Sequence, residues 1–281
     1  MPLIQWYPGH IAKAERELKE QLKRVDVVLE VLDARIPLAS QHPQVPQWLG
    51  SKPRLLILNR VDMIPDALRG QWLDWFKAQG QDVFWANAKL GLGIKAIIKA
   101  AQLTSRTVNA KRQNRGMQPR PVRAGVIGFP NVGKSALINR LLGRKVAISA
   151  RRAGVTRQLR WIRISEEIEL LDSPGIIPLK LTDQNNALKL AICEDIGEAA
   201  YENQAVAIAL MELLEELKFT PVLEERYQVK RGEATGETYL TTLAQQRYSG
   251  DLERTAVQLL NDFRKGLLGA LPLELPPDLI L

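Results

Sequence analysis

Short apolar runs alternate with stretches of helix-like spacing along the first two-thirds of the chain. Runs at 25–32, 54–58 and 82–85, rich in Val, Leu and Ile, predict strands, and 65–79 and 93–103 predict helices after the second and third. The alternation resumes with a strand over 122–127, a helix over 134–142 and strands near 159–164 and 168–171. Apolar strands interleaved with helices predict an α/β fold, a mostly parallel sheet covered by helices on both faces. Beyond Pro178 the strand signal fades. Residues 187–217 and 251–268 space their apolar positions by three and four, as in Leu252, Ala256, Leu259, Leu260, Phe263 and Leu267. The expected organisation is therefore a sheet domain over 1–178 and a small all-helical domain over 179–281.

Composition narrows the setting. A chain of 281 residues, 46% of them apolar, can bury one full core and a smaller second one, and its single cysteine, Cys193, cannot close an internal disulfide. Cys193 reads as a small core residue, with nothing near it that would activate a thiol. No charged start followed by a long apolar run resembles a signal peptide or a membrane span, so a soluble cytoplasmic protein without a membrane partner is expected. The net charge of +8 is unevenly placed: residues 182–281 hold nine Lys and Arg against seventeen Asp and Glu, a net of −8, which leaves +16 on the rest. Such a surplus favours a polyanionic partner. The stretch 104–123 has six basic residues, no acids and little apolar periodicity, and reads as an exposed linker, either a solvated tether or an RNA-contacting arm.

The strongest chemical signal is Gly128-Phe-Pro-Asn-Val-Gly-Lys-Ser135, which follows an apolar strand and opens a helix. In that context the backbone N–H groups from Asn131, Val132, Gly133 and Lys134 through Ser135 to Ala136 can surround phosphate oxygens. Lys134 can reach the β and γ oxygens, and the Ser135 hydroxyl can ligate Mg²⁺. Downstream, Asp172-Ser-Pro-Gly175 ends another apolar strand: Asp172 suits Mg²⁺ through a water, and the Gly175 N–H suits a γ-phosphate. Between the two, Thr156 offers a second hydroxyl for the same ion.

Base recognition has no candidate downstream but has one upstream. Asn59-Arg60-Val61-Asp62 closes the 54–58 strand and matches a guanine-reading pattern, in which the Asp carboxylate accepts from N1–H and the exocyclic amine. Adenine lacks that donor pair, so an unmatched Asp62 disfavours ATP by a few kcal/mol, on the order of the unsatisfied-charge penalty. Asn87 and Ala88, ending the next strand, offer backbone N–H groups to the guanine oxygen.

This motif order, with Asp33-Ala-Arg-Ile-Pro37 after the first strand and Trp6-Tyr-Pro-Gly-His10 at the start, resembles the circularly permuted GTPases of the YlqF/RbgA family of ribosome-biogenesis GTPases. The resemblance is strong over 5–62 and 122–178 and looser in the helical part. It implies a Ras-like sheet cut and rejoined through the basic linker, hydrolysis of GTP to GDP, and action in late assembly of the large ribosomal subunit on its rRNA and proteins. The alternative is a ribosome-binding placeholder with a structural nucleotide. Three features depart from the pattern: Arg60 replaces a Lys whose stem covers the base, Asn87 stands near a usual Ser, and the acidic C-terminal part suits RNA binding poorly. In Ras-like enzymes a Gln right after the DxxG motif orients the attacking water, and here Ile176 holds that place. The resemblance assigns water orientation instead to His10, on an N-terminal loop folded over the γ-phosphate, against the plainer reading of an exposed turn residue. It also points to Asn131 as a K⁺ ligand. Asp33 to Pro37 reads either as a contact to the nucleotide or as a turn stiffened by Pro37, and His42 as incidental.

Overall fold

Seven consecutive buried residues form strand β1 (Val27–Asp33), the central rod against which both halves of the chain assemble. The computed structural model describes residues 4, 8–143, 160–173, 175, 183–197 and 200–279, the side chains of 8–14, 160 and 279 excepted. On one side β1 pairs in parallel with β2 (Arg54–Asn59), which pairs with β3 (Val83–Trp85). On the other it pairs with β4 (Val122–Ile127), then β6 (Ile168–Asp172), with β5 (Arg160–Arg163) antiparallel at the edge. The order is β3-β2-β1-β4-β6-β5. Counted from β4 as strand 1, with β1 to β3 placed after β6, the same sheet reads 2-3-1-4-5-6 from the β5 edge. The chain thus enters the sheet at what would otherwise be its fourth strand, which is the circular permutation expected from the motif order.

Two helices extend beyond the sequence reading. Helix α1 (Pro8–Leu22) replaces the expected N-terminal loop, so His10 is the third residue of a helix and not a loop or turn residue. Pro8 is preorganised for a first helical position, and Leu18 and Leu22, four apart, pack on Val28, Ile127 and Leu171 of the sheet. The short α2 (Val45–Leu49) lies beside α1, and α3 (Asp66–Ala78) buries Leu68, Trp72 and Phe76 near β2. Helix α4 (Ile94–Gln113) continues ten residues past the expected end at Leu103, so half of the supposed linker 104–123 is helical. Its buried stripe runs Ile94, Ile97, Ala101, Ser105, and small or polar members among basic neighbours weakened the periodic signal. The remaining turn is pinned: Asn109 exchanges hydrogen bonds of 3.0 and 3.1 Å with Arg120, whose guanidinium grips Asp26 at 2.8 and 2.9 Å.

After α5 (Lys134–Leu142) and the β5–β6 hairpin, the chain becomes helical. The expected helical stretch 187–217 is two helices, α6 (Gln184–Ile192) and α7 (Asn203–Glu216), because Glu194 adopts a left-handed φ of 65° that no helix continues through. Helices α8 (Pro221–Tyr227), α9 (Gly236–Arg247) and α10 (Leu252–Lys265) complete this region. The threonines at 238, 241 and 242 hid α9 behind a strand-like composition. The expected boundary at 178–179 lies outside the described residues. On either side of it, one contiguous apolar cluster joins sheet residues such as Val126 and Leu170 to Leu190, Leu210 and Phe263 of the helices. Among the described residues no helix is long and apolar enough to cross a membrane.

Candidate nucleotide site

The ends of β1, β2 and β4 converge on one loop system. Gly133 caps α5, and a Cβ there would stand 2.1 Å from Asn59 Nδ2, so only glycine lets the guanine-type motif approach the phosphate loop this closely. Asn59 fills that contact on both sides: Nδ2 donates to the Val132 carbonyl at 2.8 Å, and Oδ1 accepts from the Ala88 N–H at 3.0 Å. One buried amide therefore joins the motif after β2, the loop after β3 and the loop after β4. Val61 adds a backbone bond to Ala86 at 3.1 Å. Asn87, also buried, folds its own turn by accepting from the Leu90 N–H at 2.8 Å.

Three charged residues of the motifs, Lys134, Asp62 and Arg60, sit in different environments. Lys134 is buried and donates to the carbonyls of Gly128 and Phe129 at 3.1 and 2.7 Å. Burial lowers its pKa to about 8 against the pull of Asp172 and Asp195, so an anion arriving at the loop would restore a full charge. Asp62 is exposed on a short turn, Val61–Met63, at the lip of the site. The Arg60 guanidinium, in the place of the usual Lys, donates to the Asn131 carbonyl at 2.6 Å and lies 3.5 Å from Asp33.

Asp172 ends β6 and is buried, next to Ser173, whose hydroxyl donates to the Val126 carbonyl at 2.6 Å. Ser135 opens α5 just after Lys134. Both bring hard oxygen donors to one end of the sheet, which fits Mg²⁺. Gly175 packs on Pro130 of the phosphate loop, where a Cβ would come within 2.5 Å of the Pro130 Cα, so this glycine rests on the loop itself. The Asn131 amide nitrogen donates to the Glu194 carbonyl at 2.7 Å, turning its oxygen, a hard donor suited to K⁺, the other way. Thr156 and Ile176 lie outside the described residues, and so does the His10 side chain.

Several site residues escaped the sequence. Arg140 of α5 donates from Nε to the Ala88 carbonyl at 2.9 Å and also reaches Lys89 O, fixing the base loop from below. Asp33 and Arg35, left open between turn and contact, form a fully buried bidentate pair at 2.9 and 2.7 Å. Burial alone would raise the Asp33 carboxyl, but the Arg35 and Arg60 guanidiniums outweigh it and hold the group below the ordinary carboxylate range. Arg35 also donates to the Cys193 carbonyl at 3.3 Å and lies over the Phe263 ring, tying this pair to α6 and α10. Glu274 closes the same link by accepting from the Leu38 and Ala39 N–H groups and from Lys189. Cys193 is a core residue whose thiol burial pushes well up. His42 is not incidental: it packs between Trp48, at 4.6 Å between ring centroids, and Phe129 of the phosphate loop, at 6.3 Å.

Comparison with known proteins agrees with this geometry. Residues 123–240 match the family model described as 50S ribosome-binding GTPase. The chain is 37% identical to Ribosome biogenesis GTPase A of Bacillus cereus over 98% of its own length and 95% of that protein's. It is 39% identical to the Priestia megaterium protein of the same name over 80% of this chain and 78% of that one. In fold it is similar to GNP-bound YlqF from T. maritima, with a TM-score of 0.64 and 22% identity over 94% of this chain and 99% of that one. The chain is a circularly permuted GTPase and belongs to the ribosome biogenesis GTPase A family.

Proposed function

We propose that this GTPase is a nucleotide-controlled assembly factor that acts in the cytoplasm on the large ribosomal subunit late in its maturation, with rRNA and ribosomal proteins as partners. The observation that carries the reading is the Asn131–Glu194 hydrogen bond, which links the phosphate loop directly to the turn between α6 and α7. Together with the Arg35 bond to Cys193 O, it anchors the helices at the nucleotide loops, so a change at the γ-phosphate has a short path to α6–α10. The names of the relatives support the ribosomal setting. The +16 carried by residues 1–181 suits rRNA, whereas the acidic helices suit basic ribosomal proteins.

Within this reading Asp62 accepts from guanine, Ala88 faces its oxygen, and the N–H groups from Asn131 to Ala136 hold the phosphates. Ser135, Asp172 and Thr156 would hold Mg²⁺, which screens phosphate charge when bound, and Asn131 Oδ1 would face K⁺. His10 orients the attacking water. Ile4, whose N–H donates to Gln184 Oε1 at 3.3 Å where α6 begins, supports this by tethering the N-terminus to the start of the helical region. His10→Ala should lower the subunit-stimulated rate roughly ten- to a thousandfold at unchanged nucleotide affinity.

Co-sedimentation with large-subunit precursors under GDP, GTP and a non-hydrolysable analogue tests the switch. Binding should be strongest with the analogue. Equal binding in all three states would reduce the nucleotide to a structural element and refute the switch.

A further inference from the structure

Between Val83 and Ser165 the chain has eighteen Lys and Arg and no Asp or Glu. Much of this charge is already engaged. Arg120 grips Asp26, Arg123 lies 3.5 Å from Glu169 and over the exposed Trp161 ring, Arg140 holds the base loop, and Lys134 belongs to the phosphate loop. Four residues of α4 are different. Lys95, Lys99, Arg106 and Lys111 are exposed, and no ion pair among the described residues engages them. The opposite side of the helix buries Ile94, Ile97, Ala101 and Ser105. At 100° per residue Lys95, Lys99 and Arg106 point within about 40° of one another, along about 17 Å of helix at 1.5 Å per residue, and Lys111, about 140° further round, adds an exposed charge near the C-terminal end.

We propose that this outer face of α4 is the docking surface for the phosphate backbone of double-stranded RNA. Three of the four cations are lysines, which meet phosphates as point charges without a bidentate preference for one base, and duplex RNA is recognised mainly through its backbone and shape. The buried stripe holds the helix rigid against β4 and α5, so Lys95, Lys99 and Arg106 are presented as a fixed row, with Lys111 beyond it, and not on a flexible tether. Lys95 and Lys99 lie outside the basic stretch that the sequence singled out, and Arg120, inside it, is a structural residue. The inference deepens the ribosomal reading and rests on it only for the source of the RNA.

The test compares a variant with Lys95, Lys99, Arg106 and Lys111 all replaced by Gln against one with the exposed Lys77, Lys230, Arg254 and Lys265 replaced by Gln, which loses the same charge elsewhere. Each binds an RNA duplex of about 20 base pairs, and separately large-subunit precursors, from about 0.05 to 0.2 M salt. The α4 variant should bind the duplex roughly ten- to a hundredfold more weakly, with a salt slope shallower by about one per residue removed, while GDP affinity and thermal unfolding stay as in the unmodified protein. The control should bind like the unmodified protein. An unchanged slope in the α4 variant, or an equal loss in the control, overturns the proposal. If duplex binding depends on α4 but the unmodified protein does not sediment with subunits, the surface stands and the ribosomal reading fails.

Discussion

Asn59 donates from its side-chain nitrogen to the Val132 carbonyl at 2.8 Å, so the base-reading motif and the phosphate loop share one buried hydrogen bond across 73 residues of sequence. With the Ala88 N–H on its oxygen, the same amide sets the spacing between the base and phosphate halves of the site. Asn59→Ala leaves the Ala88 N–H without this acceptor, a loss of about 1–3 kcal/mol. GDP and GTP affinities should both fall about tenfold or more, read by titration with a fluorescent guanine nucleotide. Unaltered affinity would show that the two loops are positioned by something else.

Asp62 stands exposed on its turn, where the proposed base contact would cover it. Asp62→Asn exchanges an acceptor for a donor, which suits the 2-oxo group of xanthine and not the guanine amine. Competition binding should show preference moving from GTP to XTP. Retained guanine selectivity would remove Asp62 from base recognition.

Arg35 is fully buried, and its removal strands Asp33 with only Arg60, 3.5 Å away. Arg35→Met should cost about 3–5 kcal/mol in urea unfolding, the usual consequence of breaking a buried pair from one side. It also deletes the donor to Cys193 O, loosening the hold on the helices. A loss below about 1 kcal/mol would mean the pair contributes little to either task.

Burial holds the His42 imidazole down, at a pKa of about 4 against an ordinary 6.5. Between those values the unfolded chain binds more protons than the folded one, so the stability from neutral His42 is complete above about pH 6.5 and is lost as pH falls toward 4. Over that window the stability advantage of the unmodified protein relative to His42→Phe should shrink by roughly 3 kcal/mol on acidification. Parallel stability curves would place His42 in water.

The sheet was legible because continuous apolar strands and their connecting helices leave a strong periodic trace, and the site because its glycines, Lys134 and Asp62 form motifs with fixed spacing. Helix α1 was not, since its apolar positions are sparse before Leu18 and Pro8-Gly9 reads as a turn. The end of α4 was lost because Ser105, the buried position beyond Leu103, is polar and lies among basic neighbours. Arg140, and the link from Arg35 to Cys193, were missed for another reason. Each runs to a backbone carbonyl far along the chain, and no local pattern marks a donor whose acceptor is set only by folding. The Asp33–Arg35 spacing beside a buried strand was the one available hint.

Action of this GTPase on the large ribosomal subunit is tested most directly by its GTP hydrolysis rate alone, with naked rRNA and with immature large subunits. Immature subunits should accelerate turnover at least about tenfold while naked rRNA leaves it near the intrinsic rate, because the transition-state contacts are completed only on the assembled particle. The same rate in all three conditions would contradict a role as a subunit-responsive assembly factor.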